Sequence, residues 1–314
     1  MHIGLGTAAL GRPQYINIKQ EKGSALSLDD FKERSLKTLD YAYAKGVRYF
    51  DTAPGYGMAE RLITEWLDQQ NDSSIVIATK WGYTYVANFD PKAKVHEIKE
   101  HSFFKLNEQW KISKKLLPFL KYYQIHSATI ETGVLEDKKV LERLFELKNE
   151  YHLKVGLTTT GSNQAEVLQK GIDVHFRGEQ LFEVFQCTFN PLDQSIYNLG
   201  HQILKANKKL VIKEAMANGR LFPNKKFSNH ASLHKELQRI AIKYRVGADA
   251  VLLNYSMSKF KQAIILSGAS TPDHLLQNLK ATDFQLTQEE INHLSQFKMS
   301  PSDYWFERNK LTWN

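Results

Sequence analysis

Four side chains with complementary proton chemistry stand out in the first half of the chain: Asp51, Tyr56, Lys80 and His126. A free phenol titrates near ~10 and is a poor proton donor at neutral pH. An ammonium beside it favours the phenolate and lowers that value. Lys80 is placed to supply that charge, with Asp51 keeping it protonated and held, so that Tyr56 becomes a usable general acid. His126 can hydrogen-bond a carbonyl oxygen and stabilise negative charge developing there. The set contains no strong nucleophile, so it suits protonation of an alkoxide formed when hydride reaches a carbonyl carbon. Each residue also has a structural reading: Asp51 as a turn cap, Lys80 as a surface residue, Tyr56 as loop packing, His126 as a satisfied core histidine. The chemical reading gains because three of the four close consecutive apolar runs, and Tyr56 follows the first of these between Gly55 and Gly57, which allow a tight path.

The elements that would position them alternate along the chain. Short apolar runs predict strands at Ile3–Thr7, Val47–Asp51, Ile75–Lys80, Tyr122–His126, Val155–Thr158, Val184–Thr188, Leu210–Lys213 and Ala263–Ser267. Helical spacing separates them, at Ser27–Lys45, Met58–Gln70, Lys105–Leu117, Asp137–Tyr151, Asn163–Lys170, Gln194–Ala206, Ser232–Tyr244 and Ala248–Ser256. Ser27 or Asp29 can cap the first, Gly46 sits past its end, and Gly171 is expected to end the helix that follows Asn163. Strands followed by helices imply parallel pairing through right-handed crossovers. Eight such units point to an α/β fold closed as a (β/α)8 TIM barrel, with catalytic groups at the C-terminal strand ends; an open doubly wound sheet fits the same periodicity. Residues Thr84–Phe104 are polar, contain Pro91 and read as a long loop.

The chain has 314 residues, 42% hydrophobic and 24% charged, which suits one globular domain over 1–314. No run of roughly 18 apolar residues occurs, so no membrane span is expected, and the start does not read as a signal peptide. One cysteine, Cys187, leaves no internal disulfide and fits a reducing compartment, so a cytoplasmic location is expected. The net charge of +8 favours anionic ligands, but the lysines are spread without any nucleic-acid motif. Gly4-Leu5-Gly6-Thr7-Ala8-Ala9 lacks the preceding strand and later acid of a dinucleotide fingerprint. His96 and His101 are five apart and point to different helical faces, so no metal is expected. Cys187 reads as a buried small hydrophobe, and the aromatic tail Tyr304-Trp305-Phe306…Trp313 as packing.

The run Phe50-Asp51-Thr52-Ala53-Pro54-Gly55-Tyr56-Gly57 with Glu60, and the order Asp51, Tyr56, Lys80, His126, resemble the aldo-keto reductase family over nearly the whole chain. The opening Gly4–Gly11, Gln186–Asn190, Glu214–Leu221 and Ser267–Asn278 are similar to further segments of that family. The resemblance implies a (β/α)8 barrel that transfers hydride between NADPH or NADH and an aldehyde, ketone or alcohol. It makes Tyr56 the general acid, Asp51 and Lys80 its modulators, and His126 the orienting group. Thr158, Gln186, Lys213, Ser267, Gly268, Ser270 and Asn278 would then contact the cofactor, with Ser127 near the pocket. Departures are Thr158-Thr159 where many members carry Ser-Asn, Lys213 where many carry a ring for the nicotinamide, and Ser270 and His274 where NADP-preferring members often carry cations. The family as a whole makes NADP(H) the expected cofactor over NAD(H). The expected partner is a small-molecule carbonyl compound, with the oligomeric state open. The rival readings are a barrel that senses the nicotinamide cofactor or binds a partner with little catalysis, and a barrel enzyme of isomerase or lyase type.

Overall fold

A computed structural model of the chain describes residues 2–14, 26–90 and 92–313. Eight parallel strands close into a barrel: β1 (Ile3–Gly6), β2 (Tyr49–Asp51), β3 (Val76–Trp81), β4 (Leu120–Ala128), β5 (Lys154–Thr159), β6 (Val184–Thr188), β7 (Lys209–Lys213) and β8 (Ile264–Ser267). Each pairs with its neighbours in sequence, and β1 pairs with β8 to close the ring. All eight predicted strands are present, each end within two residues of expectation, and the open-sheet alternative is excluded by the closure.

Side chains two apart along a strand share a face, and that rule stratifies the interior. Tyr49, Ala78, Val184 and Val211 pack together, joined by Val76, Tyr122 and Ile264, as an apolar plug. Two residues on from Tyr49, Ala78, Val184 and Val211 come Asp51, Lys80, Gln186 and Lys213, and His126 stands four beyond Tyr122. The polar set therefore occupies the C-terminal end of the same inward face. Phe50, Ile77, Ile125, Leu157, Phe185 and Ile212 point the other way and are buried beneath the surrounding helices. The barrel wall is tight: a Cβ on Gly156 would lie 1.9 Å from the Val184 carbonyl oxygen.

Helices follow the strands as expected. Ser27 caps Leu28–Ala44 by accepting from the Asp30 amide, and Gly46 takes φ +84° just past the end. Two expectations fail. The helix after Asn163 runs Gln164–Asp173, and Gly171 lies inside it, where a Cβ would strike the Leu157 side chain; the glycine serves helix–strand packing, not termination. Residues Thr84–Phe104 are not a simple loop. Tyr83–Tyr85 pairs antiparallel with Glu97–Lys99 as a hairpin over the mouth, and the next helix begins at Phe103. Beyond β8 lie helices Pro272–Leu279, Gln288–Ser295 and Pro301–Asn309. Among the described residues, no helix is long and apolar enough to cross a membrane.

A buried carboxyl ties two helices to the barrel. Glu60, on helix Ala59–Leu67, accepts through Oε1 from the Thr79 hydroxyl on β3 and the Ser113 hydroxyl on helix Phe103–Ser113, each at 2.8 Å. Burial raises its pKa from 4.5 to about 7, against those two hydrogen bonds and the charge of Lys80. A carboxyl held protonated in the fold costs nothing below pH 4.5, where the unfolded chain is protonated too. Between 4.5 and about 7 only the folded state keeps the proton, so stability falls as pH rises. That loss is on the order of 3 kcal/mol at ~1.4 kcal/mol per unit. Glu60→Gln keeps an acceptor for Thr79 and Ser113 but cannot ionise. Urea unfolding of the variant is expected to show a smaller loss of stability than wild type between about pH 4.5 and 7; an equal loss in both proteins would contradict the assignment.

Candidate active site

The C-terminal ends of β2, β3 and β4 deliver their polar residues to one place. Lys80 Nζ lies 2.5 Å from Asp51 Oδ2 and 3.0 Å from the Thr52 carbonyl oxygen, with both charged side chains at or below 3% exposure. The second Asp51 oxygen accepts from Gln186 Nε2 at 2.8 Å, so β6 reaches across the barrel to satisfy it. Tyr56 sits on the turn after β2, its ring centroid 4.6 Å from Lys80 Nζ and its hydroxyl 3.4 Å from His126 Nε2. The turn is pressed onto the first segment of the chain: a Cβ on Gly11 would meet the Tyr56 carbonyl oxygen at 1.9 Å, and Gly57 takes φ +64° against the Gly11 carbonyl. The β4–β5 register breaks between Ile125 and Ala128, where Ser127 adopts φ +52°. The Ser127 amide then donates to Thr158 Oγ1 at 2.6 Å.

The electrostatics refine one expectation. Enclosure by protein, then the Asp51 carboxylate, hold the Tyr56 phenol well above its ordinary value, against the lowering charge of Arg12. The expected net acidification is thus absent, because the Lys80 charge is matched at short range by Asp51 and burial penalises the phenolate. Tyr56 is protonated at neutral pH, the state a proton donor must start from. Burial, with the charges of Lys80, Arg12 and Lys213, pushes His126 well below the usual histidine range, so its imidazole is neutral. A neutral ring with a proton on Nε2 and a phenol 3.4 Å away can both donate to one oxygen placed between them.

The cofactor-associated residues divide into two groups. Lys213 donates to Thr188 Oγ1 at 3.2 Å. Gly268 is exposed, with nothing within 4 Å of where a Cβ would sit, and Ser270 is half-buried on the same turn. That turn leads into helix Pro272–Leu279, whose first residue is a proline without an N–H and whose His274 amide donates to the Thr271 cap, so the helix dipole and the Asp273 amide are what its start can offer an anion. An ammonium, an open glycine backbone and a helix N-terminus along one rim fit a phosphate-bearing dinucleotide. The other group is engaged within the protein. Asn278 donates to Ser267 Oγ at 2.8 Å and is buried, so it shapes the turn. Thr158 accepts from Ser127, Gln186 donates to Asp51, and buried Thr159 donates to Gln164.

Residues not anticipated from the sequence complete the mouth. Arg12 Nη1 donates to the Gly55 carbonyl and pairs with Glu97 at 2.9 Å, its guanidinium 4.5 Å from the Trp313 ring centroid. Trp313 in turn stacks on His96, with centroids 4.4 Å apart, and Tyr304 and Trp305 are buried, so these three rings pack as expected, while Phe306 is exposed. Tyr83 places its ring 4.7 Å from that of His126, and His101 Nε2 lies 2.8 Å from the His126 carbonyl oxygen. The period-two pattern of Tyr83-Thr84-Tyr85 and Glu97-Ile98-Lys99 was the available signal for the hairpin. Cys187 is buried, its thiol pushed up to about 12 by burial, so it is unreactive.

This geometry can be set beside known proteins. The chain is 24% identical over 294 residues to norsolorinic acid reductase of Aspergillus flavus, covering 88% of this chain and 74% of that protein. Its fold is similar to the glycerol dehydrogenase of Gluconobacter oxydans, with a TM-score of 0.71, 18% identity, and coverage of 94% of this chain and 90% of that one. It is also similar to a Bombyx mori aldo-keto reductase in complex with NADP, with a TM-score of 0.62, 17% identity, and coverage of 95% and 89%. The model of the Aldo/keto reductase family matches residues 2–298. With that match spanning the barrel and every strand that feeds its mouth, the chain belongs to the aldo/keto reductase family of NAD(P)H-dependent carbonyl oxidoreductases.

Proposed function

We propose that the chain reduces an aldehyde or ketone to the alcohol, or runs the reverse reaction, with Tyr56 as proton donor, His126 as the orienting group, and Lys80 and Asp51 as the pair that positions and charges the pocket. The observation that carries this reading is the 3.4 Å approach of the Tyr56 hydroxyl to His126 Nε2 above a buried Lys80–Asp51 pair. Bound NAD(P)H supplies the hydride. The carbonyl oxygen is held between Tyr56 Oη and His126 Nε2, which is where negative charge grows. The phenol proton passes to that oxygen, and the phenolate left behind faces Lys80 and Arg12. Asp51 keeps Lys80 protonated throughout; Gln186 and the Thr52 carbonyl fix the pair in place.

Lys213, Gly268, Ser270 and the N-terminus of helix Pro272–Leu279 would hold the cofactor, with Ser267 and Asn278 shaping the turn beneath it. NADP(H) is favoured over NAD(H), on the family as a whole and on the basic balance of the chain. A small carbonyl compound as substrate and a cytoplasmic location, consistent with the single buried thiol, complete the proposal. A barrel that only senses cofactor or binds a partner is disfavoured, because it has no need of a paired, desolvated Lys–Asp beneath a phenol.

Steady-state oxidation of NADPH with a panel of aldehydes tests the assignment. Tyr56→Phe is expected to lower kcat by at least ~10²-fold, the usual scale for removing a general acid, while fluorescence titration shows NADPH still bound, and bound more tightly than NADH. Normal turnover by Tyr56→Phe would overturn the role of the phenol.

A further inference from the structure

Two ammonium groups at the mouth have no carboxylate within salt-bridge distance among the described residues: Lys99 and Lys213. The other cations there are matched, Lys80 by Asp51, Arg12 by Glu97 and Arg308 by Glu214. Lys99 lies on the hairpin strand Glu97–Lys99, is half-buried, and reaches back to the barrel to donate to the Ser127 carbonyl oxygen at 3.0 Å. Its Nζ is 5.4 Å from the Tyr83 ring centroid, and that ring lies against His126. The lysine therefore sits on the flank of the imidazole that faces the hairpin, next to the residue carrying the orienting nitrogen.

From the same site, we propose that the substrate is an anionic carbonyl compound, one bearing a carboxylate that pairs with Lys99 while its carbonyl oxygen lies between Tyr56 and His126. This rests on the reading of Tyr56 and His126 given above. A half-buried ammonium held by one neutral carbonyl oxygen bears a desolvation cost that a carboxylate offsets through a charge-assisted hydrogen bond. Burial lowers the Lys99 pKa; of the surrounding charges Glu131 and then Glu97 raise it and Lys213 lowers it, but neither carboxylate comes within salt-bridge distance of the ammonium. Lys213 adds a second positive field from the end of β7, and it acts on His126 as well. A neutral substrate leaves the Lys99 ammonium without a carboxylate in contact, and an acid supplies one, while Lys213, which Glu214 already faces, remains available to the cofactor. Lys99 is thus a specificity-determining residue and takes no part in the proton transfer.

The test compares 4-carboxybenzaldehyde with its neutral isostere, 4-carbamoylbenzaldehyde, using NADPH. Wild type is expected to favour the acid by about tenfold in kcat/KM, carried by KM, the scale of one charge-assisted contact. In Lys99→Met that ratio falls to about one, and in Lys99→Arg most of it returns. A wild-type ratio near one, or a ratio that Lys99→Met does not move, overturns the proposal while leaving carbonyl reduction standing. If neither aldehyde is turned over, it is the reduction reading that fails, and the anion site is judged by calorimetry on the NADPH-bound protein. There benzoate is expected to bind about tenfold tighter than benzamide; equal binding overturns the site.

Discussion

The structure of the mouth depends on one desolvated ion pair. Lys80 and Asp51 are out of water, and removing each charge from solvent costs several kcal/mol. The cost is offset because both partners are hydrogen-bonded beyond their own contact: one aspartate oxygen takes the ammonium, the other takes the Gln186 amide, and the ammonium has the Thr52 carbonyl as well. Closure of the barrel makes this possible. Asp51 is paired in register with Ala78, so Lys80, two residues on, stands one step above it on the same inward face. Gln186 comes from the opposite wall, and only a closed ring brings β6 within reach of β2.

Burial and the ion pair together set the protonation states around the site. Enclosure, then the Asp51 carboxylate, keep the Tyr56 phenol protonated, while burial, with the positive charges of Lys80, Arg12 and Lys213, keeps His126 neutral. The two groups best placed to touch a carbonyl oxygen are therefore both neutral donors, facing an acceptor whose negative charge grows during reaction. The hairpin, the Arg12–Glu97 pair and the Trp313–His96 stack cover this region with protein and sharpen those fields by excluding water.

Much of this was legible in the residues because parallel, doubly covered strands read as apolar runs that stop where the barrel ends. Asp51, Lys80 and His126 each stop such a run, or nearly so, and are legible without any contact. The hairpin was not, since three-residue strands half-open to solvent carry a weak period-two signal. Arg12 was invisible for a different reason: its partner Glu97 is 85 residues away, and nothing local requires the pairing. The acidity of Tyr56 is not legible in residue types, which announce a nearby ammonium but not the burial that opposes it. Asn278 and Gly171 show the same limit, their side-chain environments being decided by packing against Ser267 and Leu157.

The central claim is that Asp51 acts through Lys80 as one unit beneath the phenol. A double-mutant cycle on kcat/KM for NADPH-linked reduction of a neutral aldehyde, across Asp51→Asn and Lys80→Met, measures this directly. Each single variant is predicted to lose about 10²-fold or more, and the double variant to be no worse than the poorer single one. Losses that multiply would show two independent contributions and contradict the account.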